Sequence, residues 1–336
     1  MVVKGRLPSE IEHKWVVKSD DVEITEYGRK PEERPIMDLI QFGIINVDKQ
    51  PNPTSQEIVA TIKEIFDLPK AGHSGTLDPA VSGILPVALG SATKILPTLL
   101  LAGKEYICVM QLHDEVARDK LEAVFYEFTG EIYQKPPVKS SVKRVLRSRR
   151  IYYLDLLEVE ERAVLFKVGS EAGTYIRKLC HDMGLVLGCG AHMKELRRTK
   201  VGPFKEDETL ASLYRIFDAY EIWKESGEEK ELREIVLPME EGMSHLPQIV
   251  VRDNAIGAIC HGANLAAPGV VKLHQDIKRG SVVLLKSLKG EGVALAKAKK
   301  NADEILESNH GIIANTQRVL MPRETYPKLW KENNNG

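Results

Sequence analysis

One segment rich in turn-forming residues constrains this chain more than any other feature. Residues 72–94 read GHSGTLDPAVSGILPVALGSATK, with four glycines and two prolines. That composition predicts a shaped loop rather than a helix or a long strand. Asp78 is the only carboxylate between Asp67 and Glu105, whereas sugar-bond hydrolases generally use two carboxyl groups and magnesium sites gather several oxygen ligands. The lone acid favours a reaction in which one carboxylate acts on a bond and no water is activated.

The charge of the chain is balanced in total but unevenly placed. The 336 residues suffice for two domains with sizeable cores, and the formal net charge is only −1. Residues 135–150 nevertheless hold seven lysines and arginines without an acid, while residues 218–241 hold nine acids and three basic residues. The chain is therefore not a generally basic nucleic-acid binder, and it carries one local basic segment.

The cysteines and the hydropathy pattern indicate a cytoplasmic protein. Cys108, Cys180, Cys189 and Cys260 are scattered without a Cys-x-x-Cys pair, which favours reduced thiols over a disulfide framework or a zinc site. No apolar segment approaches the length of a membrane span, and the N-terminus lacks a signal-peptide core.

Hydrophobic periodicity predicts alternating helices and strands followed by a β-rich region. Thr54 and Glu57 form a capping-box pattern ahead of a helix. We predict strands at 37–47, 106–112, 151–158 and 163–169, and helices at 118–128, 174–187 and 209–234. After Pro247 the sequence changes to short runs of Val, Gly and Ala. The predicted organisation is an extension at 1–36 that packs on the last domain, a domain at 37–246, and a compact β-rich domain at 247–330.

The segment around Asp78 resembles the signature of the TruB family of pseudouridine synthases, Gly-His-x-Gly-x-Leu-Asp-Pro-x-x-x-Gly-x-Leu. The matching positions are Gly72, His73, Gly75, Leu77, Asp78, Pro79, Gly83 and Leu85. A match of this length rarely arises by chance. The resemblance implies that Asp78 is the catalytic aspartate of an enzyme that isomerises uridine to pseudouridine in RNA.

Further segments resemble other motifs of the same family. Residues 45–51 resemble its first motif, although Gln50 separates Lys49 from the proline. Residues 104–106, 173–177 and 196–199 resemble the segments that supply the base-stacking tyrosine, the arginine partner of the aspartate and a strand lining the cleft. On this resemblance the catalytic residues are Asp78, Tyr106, Tyr175 and Arg177, and the residues that contact RNA include Lys49, His73 and Leu196.

The implied chemistry suits these residue types. The reaction breaks the glycosidic bond, turns the base over and joins its carbon 5 to the sugar. A guanidinium at Arg177 would favour the charged form of Asp78 and orient it, and Tyr106 could stack on uracil and assist with the proton at carbon 5. His73 could enter the stack when the uridine is flipped out. Attack on the sugar, addition to the ring and removal of a sugar proton all stay open for Asp78. An isomerisation without redox change implies no cofactor, and no metal site is predicted.

The last domain resembles PUA, a small β-barrel that binds RNA. The resemblance rests on residues 262–265, 267–270 and 277–280, and it implies that Lys272, Lys278 and Arg279 contact phosphates. The whole chain is then of the α+β class: a catalytic domain with a mixed, largely antiparallel sheet and flanking helices, plus a PUA barrel.

Three runs, at 192–199, 202–209 and 321–330, resemble the dyskerin-like catalytic subunit of box H/ACA ribonucleoproteins. The absence of a lysine-rich tail indicates an archaeal member. In such proteins the basic segment, with Lys139, Lys143, Arg144 and Arg147, closes over substrate RNA. The implied partners are a guide RNA, substrate RNA (chiefly rRNA), two small proteins on the catalytic domain, and a kink-turn-binding ribosomal protein held through the RNA.

Two other functions remain open on the sequence. A stand-alone enzyme for the T-arm uridine of tRNA would share the loop around Asp78. A non-catalytic RNA-binding scaffold would share the PUA-like domain and the basic segment, but it has no need of the four catalytic-type residues together.

Overall fold

The computed structural model describes residues 5–136 and 143–327. The strands in chain order are β1 (Trp15–Val17), β2 (Gly43–Lys49), β3 (Ala71–His73), β4 (Ser82–Leu89), β5 (Lys104–Leu112), β6 (Gly130–Gln134), β7 (Arg147–Glu160), β8 (Ala163–Ser170), β9 (Ala191–Val201), β10 (Phe204–Lys205), β11 (Leu210–Ala211), β12 (Val236–Pro238), β13 (Gln248–Val251), β14 (Leu265–Ala266), β15 (Val270–His274), β16 (Val282–Lys286), β17 (Gly292–Ala298) and β18 (Ile312–Val319). The helices are α1 (Ile36–Gln41), α2 (Ser55–Ile65), α3 (Leu96–Leu101), α4 (Arg118–Glu127), α5 (Ile176–Leu187), α6 (Leu213–Ser226), α7 (Lys230–Ile235), α8 (Asp253–Cys260) and α9 (Ala302–Glu307).

Most predicted elements are present, and two differ in instructive ways. The predicted strand at 37–47 is wrong in its first half, because Ile36, Leu39 and Ile40 are buried at helical spacing and form α1 before β2 begins. The predicted helix at 209–234 begins later and is broken by Gly227, which caps α6 at a φ of 76°. The capping box ahead of α2 is confirmed.

The chain divides into two compact units. The first contains residues 5–11, 45–88 and 96–235 of the described chain, and we call it the Asp78 unit. Its sheet has the strand order β11-β2-β4-β9-β5-β8-β7-β6. The β5 strand pairs antiparallel with both β8 and β9, whereas β4 pairs with β9 in parallel. The sheet is thus mixed and largely antiparallel.

Two helices cover one face of the central strands in the Asp78 unit. Apolar residues of α4 and α5 share one buried cluster with Cys108 and Met110 of β5. Within it the rings of Phe125 and Phe166 meet edge to face, 5.4 Å apart. This core fixes β5 and the start of α5, which both carry predicted site residues.

The second unit, which we call the C-terminal unit, contains residues 12–44, 89–95 and 236–327 of the described chain. Its sheet has the strand order β1-β15-β13-β16-β17-β18-β14. The β1 strand comes from the predicted N-terminal extension and pairs antiparallel with β15, with Trp15 opposite His274. The extension is divided, because residues 5–11 belong to the Asp78 unit.

Within the described ranges, none of the helices combines the length and the apolar character needed to cross a membrane.

Candidate active site

Asp78 lies on an anchored loop between β3 and β4, residues 74–81, which we call the Asp78 loop. Its neighbours Leu77 and Val81 are buried in the core of the unit. The backbone N–H of Leu77 donates to the hydroxyl of Ser55 at the start of α2 (2.9 Å), and that hydroxyl donates to the Leu77 carbonyl (3.2 Å). The backbone is therefore held from below, while the Asp78 side chain remains 56% exposed.

The structure brings Arg177 to Asp78, as predicted. The Arg177 guanidinium donates through Nη2 to Oδ2 of Asp78, and the arginine side chain is 58% exposed. Arg177 follows Ile176, which is buried in the same core as Leu77. An exposed ion pair contributes little to folding stability, so the pair is free to serve a ligand.

The start of α5 is fixed by a buried glutamine that the sequence analysis missed. Tyr175, the N-cap residue of α5, donates its N–H to Oε1 of Gln134 (2.9 Å), and the Gln134 amide donates to the Tyr175 carbonyl (3.2 Å). Gln134 is only 2% exposed. This reciprocal pair holds the backbone that delivers Arg177.

Tyr106 lies on β5 between the two antiparallel neighbours of that strand. It faces Val168 of β8 and Arg198 of β9. The residue is 9% exposed and packs in the core with Leu77 and Val81, so only a small part of its ring is accessible from solvent. Its stacking on a base stays a prediction.

Lys49 is a correction to the sequence analysis, which predicted a contact with RNA. The residue is fully buried, and its ammonium donates to the carbonyls of Val81 (2.7 Å), Pro79 (3.0 Å) and Gln50 (3.0 Å). Burial, and then the charge of Arg198, lower its pKa. With its donors used on backbone carbonyls, Lys49 holds the end of the Asp78 loop and does not reach a ligand in this structure.

His73 closes the turn at the start of the Asp78 loop. Its Nδ1 accepts the backbone N–H of Gly75 (3.1 Å), and its Nε2 lies 3.1 Å from the Gln56 amide. Burial, and then Arg198, lower the pKa of His73, which favours the neutral ring. A neutral ring that accepts at Nδ1 carries its proton on Nε2. Its entry into the RNA stack stays a prediction.

Two buried cations beneath the loop were missed as site residues. Arg198 is 1% exposed and donates from Nε to the Ile84 carbonyl (2.8 Å) and from Nη2 to the Gly75 carbonyl (3.1 Å). Lys104 is 6% exposed, and burial followed by the charge of Arg198 lowers its pKa to about 7. The sequence run Leu-Arg-Arg-Thr matched the family, but neighbouring arginines on a strand point to opposite faces, and the sequence does not say which face is buried.

The remaining predicted residues of this unit flank the site. Leu196 on β9 is partly buried against the core. Arg147 begins β7 opposite Gln134, so the base of the basic segment adjoins the partner of Tyr175. Arg144 donates to the Pro136 carbonyl (3.3 Å), and the Lys143 carbonyl accepts from Arg147 (3.5 Å). Lys139 lies outside the described residues.

The predicted phosphate contacts of the C-terminal unit lie at two places. The Lys272 ammonium sits 4.8 Å from the centre of the Trp15 ring. Lys278 and Arg279 occupy the turn before β16, where Arg279, Lys297 and Lys299 line a cavity of about 240 Å³.

Among the described residues, His13, His274 and Asp276 bring potential metal-ligand atoms within 4.8 Å of one another. The two imidazoles stack with an angle of 10° between their planes. A ring nitrogen binds a metal in the plane of its ring, and parallel planes share no common point. In addition, Nδ1 of His274 accepts the Gln248 N–H (3.1 Å). The cluster is therefore not arranged as a metal centre.

Four family models match the chain in order. They are the DKCLD (NUC011) domain at residues 6–59, the TruB family pseudouridylate synthase N-terminal domain at 63–176, the tRNA pseudouridylate synthase B C-terminal domain at 177–244, and the PUA domain at 247–320.

Similar proteins span the whole chain. The "Probable tRNA pseudouridine synthase B" of Thermococcus kodakarensis is 55% identical over 331 residues, covering 98% of each chain. The protein of the same name from Methanosarcina barkeri is 53% identical over 332 residues, covering 99% of this chain and 98% of that one.

Solved structures agree. A Cbf5-Nop10-Gar1 complex contains a chain with a TM-score of 0.94 and 53% identity, covering 97% of this chain and 100% of that chain. An H/ACA ribonucleoprotein bound to a substrate RNA with 2′-deoxyuridine contains one with a TM-score of 0.92 and 52% identity, at the same coverage. On these matches and the loop geometry, the chain belongs to the TruB family of pseudouridine synthases, RNA-modifying isomerases, and to its archaeal dyskerin-like branch with DKCLD and PUA domains.

Proposed function

We propose that this chain isomerises specific uridines to pseudouridine under the direction of a box H/ACA guide RNA. The observation that carries the proposal is the exposed Asp78–Arg177 pair on an anchored loop, within a chain that matches H/ACA ribonucleoprotein subunits along 97% of its length. The proposed substrate is chiefly rRNA. The proposed partners are the guide RNA, two small proteins on the catalytic domain, and a kink-turn-binding ribosomal protein held through the RNA.

Each residue has a proposed task. Asp78 acts on the ribose or base of the flipped uridine, and Arg177 orients the carboxylate through its guanidinium. Tyr106 contacts the uracil, and Tyr175 shapes the start of α5. Lys49 and His73 hold the two ends of the Asp78 loop through the hydrogen bonds described above. The reaction is an isomerisation, so its atoms balance without a cofactor.

The remaining predicted residues are proposed to bind RNA. Leu196 would line the cleft. The charges of the basic segment and of Lys272, Lys278 and Arg279 would contact phosphates, which fix register without reading sequence. The domain boundaries at 37 and 247 are proposed on the same footing. The proposed compartment is the cytoplasm, in keeping with the four free cysteines of the described chain.

The proposal is tested by reconstitution. The chain, a guide RNA, a target RNA and the two small proteins should yield pseudouridine, read by mass spectrometry of the target. Asp78→Asn should abolish product while leaving RNA binding intact, because the amide keeps the shape of the side chain and removes its charge. Asp67→Asn is the matched control: Asp67 is exposed, and its φ of 48° is one that asparagine accepts. Product formed by Asp78→Asn at the control rate would refute the assigned role.

A stand-alone tRNA enzyme is the second candidate, favoured by the names of the relatives from Thermococcus and Methanosarcina. It predicts fast and complete modification of unmodified tRNA by the purified chain alone. Under guide dependence, the chain alone should modify the target RNA slowly, and the guide RNA should restore the rate.

A further inference from the structure

Arg198 has the largest side chain among the fully buried residues of the described chain. Its guanidinium touches three separate parts of the Asp78 unit. It donates to the Ile84 carbonyl on β4 (2.8 Å) and to the Gly75 carbonyl in the Asp78 loop (3.1 Å), and it hydrogen-bonds the side chain of Tyr106 on β5. The only polar atom in a tyrosine side chain is its hydroxyl, so the third contact is guanidinium to phenol.

The backbone of Arg198 is seated where a neighbouring glycine is required. Gly83 of β4 lies opposite Arg198 in the parallel pairing of β4 and β9. Gly83 has a φ of +104°, and a Cβ atom there would lie 2.2 Å from the Arg198 carbonyl oxygen. The close approach of the two strands therefore depends on glycine, and it directs the Arg198 side chain beneath the loop.

The acceptors of this guanidinium are neutral. Two are backbone carbonyls and one is a phenol, as given above. A buried charge is costly unless it is paired and hydrogen-bonded, and a carboxylate would compensate it better than these groups do. Deviations of this kind from the most stable arrangement are expected at functional sites.

The charge of Arg198 is felt by the groups that hold the Asp78 loop. Burial is the first cause, and Arg198 the second, of the lowered pKa values of His73, Lys49 and Lys104. Lys104 also lies under the loop, with its Cε 3.7 Å from the position of a Cβ at Gly75. Arg198 thus lies among the residues that support Asp78 without touching solvent.

We propose that Arg198 is a positioning residue for the isomerisation, which holds the Tyr106 hydroxyl and the Gly75 carbonyl and so fixes the tyrosine relative to the loop that carries Asp78. This inference rests on the proposed function of Asp78 and Tyr106. It differs from a purely structural role because the effect on chemistry must pass through the Tyr106 hydroxyl.

The test is a double-mutant cycle of Arg198→Lys and Tyr106→Phe in the reconstituted ribonucleoprotein, with kcat and KM for target RNA measured separately. A lysine keeps the charge but loses the planar fork that reaches several acceptors. Arg198→Lys should lower kcat roughly 10- to 100-fold with little change in KM, since small displacements of reacting groups have effects of this size. In the Tyr106→Phe background the same change should lower kcat by less than about threefold, because interacting residues are not additive.

The matched control is Arg215→Lys. Arg215 is also a partly buried arginine of the Asp78 unit, but its partners are Glu231 (2.9 Å), Glu234 (3.2 Å) and the Glu208 carbonyl (3.3 Å) on and around α6 and α7. Its kcat should match that of the wild type. Equal effects of Arg198→Lys in both Tyr106 backgrounds, or a change confined to KM, would overturn the inference while leaving the proposed function intact. Activity of Asp78→Asn, in contrast, would overturn the proposed function itself.

If Arg198→Lys does not fold, the contact is tested from the other side. Tyr106→Phe alone removes an acceptor from the buried guanidinium, so its Tm should fall by several degrees. An unchanged Tm would show that the guanidinium does not depend on the hydroxyl and would overturn the inference.

Discussion

Arg34 in the C-terminal unit and Arg198 in the Asp78 unit are both buried arginines, yet they meet different partners. Arg34 forms a two-pronged pair with the Glu240 carboxylate at 2.7 and 2.9 Å. Arg198 meets two carbonyls and a phenol. The same contrast holds for their neighbours. Asp253 accepts the N–H and the hydroxyl of Thr25, whereas Lys49 donates to three backbone carbonyls.

The contrast separates charge used for folding from charge kept for a ligand. In the C-terminal unit a buried cation has its counter-ion within the protein, so it adds little field outside. Beneath the Asp78 loop, buried cations are held by neutral dipoles and retain a positive field. Perturbed titratable groups in such a setting are candidates for function. The loop they support is the one that presents the exposed Asp78–Arg177 pair.

The compensated pair should give the largest effect on stability. Glu240→Gln leaves the Arg34 charge buried without its counter-ion, at a cost of about 3–5 kcal/mol. Urea unfolding of the full chain at pH 7 measures the loss. The matched control is Glu122→Gln, which removes a pair with Arg118 whose side chains are 64% and 56% exposed, and which should stay within about 0.5 kcal/mol. Equal losses in the two variants would remove the distinction between buried and exposed pairs.

Lys104 should show the cost of an uncompensated cation as a pH dependence. Burial lowers its pKa from 10.5 to about 7, so between these values the unfolded chain binds more protons and the native state gains stability as the pH rises. From pH 7 to pH 9 the wild type should gain about 1.4 kcal/mol per pH unit relative to Lys104→Met. Denaturant unfolding at several pH values measures the difference. Parallel pH profiles would contradict an uncompensated charge at this position.

His274 should show a smaller effect of the same sign in the C-terminal unit. Burial, and then His13, lower its pKa from 6.5 to about 4. The unfolded chain therefore binds the proton first, and stability falls as the pH drops from 6.5 to 4. Relative to His274→Asn, whose amide oxygen can accept the Gln248 N–H, the wild type should lose about 1–2 kcal/mol over this window. Thermal melts at pH 7 and pH 4.5 test it, and an equal loss in both proteins would mean that other groups cause the acid sensitivity.

Local chemistry explains which features were predictable from residues. The loop around Asp78 is written in glycines and prolines, and the capping box of Thr54 and Glu57 lies within four residues. Both depend on near neighbours along the chain, and both are found where they were expected. The segment 37–47 was harder, because a short apolar run suits a strand or a helix equally until its packing partners are known.

The sequence by itself determined the family, the single acid on a shaped loop, and the arginine that reaches it. Only the tertiary structure decided which cations face a ligand and which lie beneath the loop. Lys49 and Arg198 read as ordinary charged residues on strands, and their burial depends on carbonyls brought by β4, β5 and the Asp78 loop from distant parts of the chain. The physical reason is that the cost of burying a charge is set by the acceptors around it in space, and a linear pattern does not specify those acceptors.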